Sequence, residues 1–127
     1  MPTDPDQQRA AREHSACQRL LHAGASGLPR APWLHPAQPP YSTDLVRFAV
    51  WRSQSGTLAD DEVEAALALI PAARAEMDQL ETGMLFAARA QGLSWARIAR
   101  EMGLGSAQAA LQRYDRLTGR VESRSES

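Results

Sequence analysis

The side chains best placed to do chemistry lie between residues 94 and 120. Gln108 and Gln112 are four residues apart and share one face of any helix that carries them. A glutamine amide can bond both N6 and N7 of adenine in a major groove. Ala107 and Leu111, beside them, suit thymine methyls, and Asp115 can accept from cytosine N4 or pair with a neighbouring arginine. Arg113, Arg116 and Arg120 fall at spacings of three and four, one helical stripe, and Arg97 and Arg100 lie one element earlier. Guanidinium groups arranged this way contact phosphates, although such a stripe taken alone is also what a solvated helix face looks like. The expected base contacts are thus Ala107, Gln108, Leu111, Gln112 and Asp115. The expected phosphate contacts are Arg97, Arg100, Arg113, Arg116 and Arg120.

Other chemistries have less to work with. His14 and Cys17 could share a metal, with His22 or His35 as a third ligand, but zinc usually takes four ligands and no fourth soft ligand is near. All three histidines precede residue 36, so no Ser-His-acid grouping is expected. Gly103-Leu104-Gly105 lacks the preceding strand that a phosphate-binding loop needs. No metal, no cofactor and no enzymatic activity are expected.

The elements that must position the polar set are legible around it. Ser94 caps a short helix in which Trp95, Ile98 and Met102 point inward and Ala99 is small, where another helix comes close. Gly103 supplies the positive φ of a tight turn, Leu104 fills the wedge, and Ser106 caps a second helix with Ala110, Tyr114 and Leu117 inward. This is a helix-turn-helix pattern. The stretch 94–117, SWARIAREMGLGSAQAALQRYDRL, resembles small helix-turn-helix transcriptional regulators common in high-GC actinobacteria. The preceding LIPAARAEMDQLETGMLFAARAQG is similar to the long helix such regulators place before the motif. The resemblance covers about residues 66–120 and departs at two points. Gly105 lengthens the turn by one residue, and Ala107 stands where relatives often carry an arginine that could read guanine.

Composition supports an all-helical frame. Alanine, a strong helix former, occurs 23 times among 127 residues, and strand-forming clusters are scarce. All 14 basic residues are arginine, as a high-GC genome tends to produce. Charge is uneven: residues 42–92 carry four Arg against eight acids, net −4, while 93–120 carry five Arg against two acids, net +3. No apolar run approaches the ~20 residues of a membrane span. The start Met1-Pro2-Thr3-Asp4-Pro5 does not read as a signal peptide, and a single cysteine fits a reducing cytoplasm.

A first helix is capped by Asp4, carries Ala10, Ala16, Cys17, Leu20 and Leu21, and ends at Gly24 and Gly27. Residues 27–41 hold five prolines and read as an extended linker with Trp33 laid onto the domain; the spacings Pro29–Pro32 and Pro36–Pro39 suit an aromatic groove on a protein partner. A second helix starts near Ser42 or Thr43, with Leu45, Phe48 and Ala49 on one face. Thr57 is expected to cap a third, with Val63, Ala66, Leu67 and Ile70 as its apolar stripe. Pro71 interrupts, and a long helix follows over about 72–91. Its spacing Ala73, Met77, Leu80, Met84, Ala87 is the seam of a helix-on-helix contact, either intramolecular core or a dimer interface through Met77, Leu80 and Met84.

The expected architecture is an all-α bundle ending in a tri-helical helix-turn-helix unit. It divides into an N-terminal helix and Pro-rich linker (1–41), a helical scaffold (42–91), the helix-turn-helix (92–120) and a disordered tail (121–127). The function it implies is sequence-specific binding of double-stranded DNA by a cytoplasmic homodimeric transcriptional regulator. The alternative is an adaptor that uses the same fold against a protein such as sigma factor or RNA polymerase.

Overall fold

Asp4 opens the first helix as its position predicts. Its carboxylate accepts from the Asp6 N–H at 3.0 Å, and Pro5 takes the first helical position. A computed structural model describes residues 4–126, with side chains through residue 119. It contains α1 (Pro5–His22), a 3-10 turn (Ala25–Gly27), α2 (Ser42–Ser53), α3 (Asp60–Ala68), α4 (Ile70–Ala90), α5 (Trp95–Met102) and α6 (Ala107–Glu126). No strand occurs among the described residues, so the protein is all-α. No helix among them is long and apolar enough to cross a membrane. The helix α6 continues to Glu126, beyond the point where a disordered tail was expected.

The chain divides into two compact units, Met1–Glu76 and Met77–Ser127, and the boundary falls inside α4 rather than at residues 41 and 91. In unit 1 the N-terminal helix does not stand apart. Ala16, Cys17 and Leu20 of α1, Ala25, Leu45, Phe48 and Ala49 of α2, and Ala65 and Leu69 make one buried core. Burial pushes the Cys17 thiol above its ordinary pKa, because the thiolate would lose its solvation there. Two carboxylate oxygens of Glu76 accept from the N–H groups of Ser42 (2.7 Å) and Thr43 (3.0 Å), capping α2 in place of a local side chain.

Several expectations for unit 1 are corrected. Trp33 is 76% exposed and does not lie on the domain. Instead the Pro-rich segment is a loop fastened by Arg30, whose guanidinium donates to the carbonyls of His35 and Gln38. Thr57 does not cap α3; its hydroxyl pairs with Ser55 Oγ at 3.0 Å, and the helix starts at Asp60 behind Ala59. Val63 and Leu67 are exposed; α3 buries Ala65, and Leu69 just beyond its end is buried too. The small Ala65 side chain permits the close approach of α1 that a valine or leucine would block. The break before the long helix falls at Leu69, so Pro71 sits in the first turn of α4, where its missing N–H needs no partner.

Candidate nucleic-acid interface

Unit 2 consists of α4 from Met77 onward, α5 and α6. Its core is Leu85, Ile98, Ala99, Ala110 and Leu117, with Leu93, Trp95, Leu104 and Tyr114 partly buried against it. Trp95 and Tyr114 meet with ring centroids 5.6 Å apart. Met102, expected to point inward, is 38% exposed. It is the last residue of α5, and Leu104 beyond the turn packs against the core instead.

The two turns are built alike. Gly103 ends α5 at φ 72°, ψ 23°, in the left-handed region; the Leu104 N–H then donates back to the Ala99 carbonyl at 2.8 Å. Gly92 ends α4 at φ 90°, and the Leu93 N–H donates to the Ala88 carbonyl at 3.0 Å. These bonds satisfy carbonyls that a helix end otherwise leaves open, and the leucine after each glycine returns its side chain to the core. A serine closes each turn: Ser94 Oγ accepts from Arg97 N–H at 3.1 Å, and Ser106 Oγ accepts from Ala109 N–H at 3.1 Å. The extra residue Gly105 is accommodated before the Ser106 cap, and Ala110 and Leu117 remain buried at 1% and 2%.

With that face inward, α6 turns its polar residues out. Gln108, Gln112, Asp115 and Arg116 are exposed, while Ala107 and Leu111 are half-buried beside them. Arg97 and Arg100 on α5 are exposed; Arg100 has only a loose contact with Glu101, 3.8 Å apart. Among the described residues neither Arg116 nor Asp115 makes an ion pair, so the local pairing open to them in the sequence does not form. The Arg120 side chain lies outside the described residues.

Arg113 is placed differently from Arg116. Its Nε donates to Glu81 Oε1 at 2.5 Å and its Nη2 to Glu81 Oε2 at 3.2 Å, a two-pronged pair from α6 to α4. The hydrogen bond and charge of Glu81 hold the guanidinium proton still more firmly than usual, with Asp78 adding to the effect. A second clasp joins α4 to the turn: Arg89 donates to the Leu93 carbonyl at 2.9 Å and lies 5.0 Å from the centre of the Trp95 ring. Neither clasp was visible in the sequence. Arg113 and Glu81 are 32 residues apart, and nothing local marks them as partners.

Met77, Leu80 and Met84 are 57%, 63% and 68% exposed, so this stripe of α4 is not intramolecular core. Leu85, one position on, is the buried residue of that helix.

In comparisons with known proteins, the chain matches no family model, no curated protein and no solved structure.

Proposed function

We propose that unit 2 is a helix-turn-helix module that binds double-stranded DNA, and that the protein regulates transcription by occupying an operator. The observation that carries this reading is the orientation of α6. It is capped by Ser106 after a left-handed glycine turn, its apolar side is buried, and Gln108 and Gln112 are exposed on one face. That is the arrangement in which a second helix enters a major groove with its first turns against base edges. Arg97 and Arg100 on α5 and Arg116 on α6 are the exposed cations available for phosphates. Arg113 serves instead to fix α6 to α4 through Glu81.

A second reading has one observation in its favour. Asp115 is exposed on α6 without an ion pair among the described residues, and Arg113 is already engaged, which leaves α6 less basic than its composition suggests. Such a helix also suits a protein partner.

Salt dependence separates the two. Three phosphate contacts give a slope of about −2.7 in log affinity against log salt, so affinity for sheared high-GC DNA should fall about 40-fold between ~50 and ~200 mM. Arg97→Ala/Arg116→Ala should lower both affinity and slope. Gln108→Ala/Gln112→Ala should keep the slope and lose preference among the retained fragments. Absence of retention at ~50 mM salt, where backbone contacts are strongest, would overturn the DNA reading.

A further inference from the structure

We infer that the exposed face of α4 is where a second copy of this chain docks, antiparallel, about a two-fold axis passing beside Leu80. The inference deepens the DNA reading, since a single module makes few contacts and paired modules read two half-sites. Its own support comes from α4.

The first support is the residue pattern. Along one face of the helix stand Ala73, Met77, Leu80, Met84 and Ala87. Read from either end, the order of residue types is the same: Ala, Met, Leu, Met, Ala. A two-fold interface uses one patch twice, so that residue i meets j and j meets i. An antiparallel crossing centred near Leu80 sets Leu80 against Leu80 of the second copy and Ala73 against its Ala87, and brings Met77, three residues before Leu80, beside Met84, four residues after it. Small residues at the two ends let the helices come close beyond the large central side chains.

The second is charge. No charged residue interrupts the stripe, and charge is depleted at the centre of interfaces, where methionine is enriched. Glu81, next to Leu80 in the chain, would meet its own like charge near the two-fold axis. It is already neutralised by Arg113. The ion pair that fixes α6 therefore also removes the repulsion that would oppose self-association.

The third is area. Three large apolar side chains, each more than half exposed, offer on the order of 100 Å² apiece. Two copies bring six of them, and at the ~60% apolar content of interfaces this corresponds to roughly 1,000 Å² in all. That sits at the lower edge of specific interfaces. The dimer is therefore weak, and two DNA half-sites would strengthen it by holding the modules at high effective concentration.

Sedimentation velocity of the full chain without DNA, over roughly 1–200 μM, tests the inference where an interface of this size dissociates. The wild type should pass from monomer to dimer with concentration. Leu80→Glu should remain monomeric with an unchanged helical spectrum. The uncharged Met77→Gln/Met84→Gln variant should weaken the dimer by about tenfold or more, which guards against a folding defect in Leu80→Glu. Under mild oxidation Leu80→Cys should link to itself. Met77→Cys and Met84→Cys should link when mixed, with bonds located by peptide mass so that Cys17 is not confused with them. A wild type that stays monomeric throughout, or a Leu80→Glu variant that dimerises like the wild type, would overturn the inference. A dimer that fails to bind DNA would overturn only the DNA reading, and a monomer with salt-sensitive DNA binding only the dimer.

Discussion

In unit 2 both chain reversals use one device: a left-handed glycine, a leucine that folds back on the core, and a serine that caps the next helix. In unit 1 no device repeats. The start of α2 is capped by a carboxylate 34 residues later, the Pro-rich loop is held by Arg30 reaching along its own segment, and α3 begins without a side-chain cap. The two turns of unit 2 are thus written into a few adjacent residues, although a long-range pair also joins α6 to α4, whereas the start of α2 in unit 1 rests on a distant carboxylate. This matters for the proposed function, because the angle between α5 and α6 decides what α6 can reach, and the local bonds of the turn help to fix that angle beside the shared core.

The sharpest way to break this comparison is to test whether the two cores are separate. Leu20 is fully buried in unit 1 and Leu117 is buried in unit 2. Each leucine-to-alanine substitution should cost about 3–5 kcal/mol in its own unit. Hydrogen exchange would show where the cost falls: Leu20→Ala should open α1, α2 and α3 and leave α5 and α6 protected, and Leu117→Ala should do the reverse. Equal loss of protection in both units after either substitution would show that they do not unfold separately.

The turn device is tested next. A Cβ at Gly103 would meet nothing within 4 Å, so the cost of Gly103→Ala is conformational alone, about 1–2 kcal/mol for a left-handed alanine. Gly27 in unit 1 is equally open but has an ordinary φ, and Gly27→Ala should be neutral or stabilising by about 0.5 kcal/mol. Denaturant midpoints with unchanged slopes would measure both. If the DNA reading holds, Gly103→Ala should also weaken DNA retention more than its loss of stability predicts, because the turn sets α6.

Caps come third. Ser106→Ala removes a local cap and should cost about 1 kcal/mol, read as faster exchange of the first α6 amides. Glu76→Ala removes a distant cap and leaves two amides of α2 without their partner, at about 1–2 kcal/mol. The second change should act across unit 1, since Glu76 ties α4 to α2, whereas the first should stay within the α5–α6 turn. Equal reach for the two would contradict the distinction between local and long-range construction.

That distinction also explains what could be read in the residues beforehand. Ser94, Gly103, Leu104 and Ser106 act on neighbours within five positions, so spacing alone marks each of them. The inward faces of α2 and α6 were assigned from single apolar stripes. The α3 helix defeated the same reasoning because it is apolar on several sides: Val63 with Leu67, and Ala65 with Leu69, are equally good i, i+4 pairs. Only the approach of α1 decides between them. Glu76 to α2 and Glu81 to Arg113 are contacts across more than thirty residues and leave no periodic trace. Met102 failed for a different reason. It is the last residue of its helix, and Leu104 beyond the turn packs against the core while Met102 stays partly in solvent.

The smallest expected effect concerns Trp33, and it tests the corrected picture of the Pro-rich loop most directly. A tryptophan laid on a core would cost about 3–5 kcal/mol on truncation to alanine. At 76% exposure in a loop fastened by Arg30, Trp33→Ala should change stability by no more than about 0.5 kcal/mol. Arg30→Ala should then do more than Trp33→Ala, since the loop carbonyls of His35 and Gln38 would lose their shared donor. Indole emission gives the same answer independently: the Trp33 contribution, taken as the difference between wild type and Trp33→Phe, should be red-shifted and open to acrylamide. A blue-shifted, shielded contribution would show the ring packed against protein, as an extended linker laid on the domain requires.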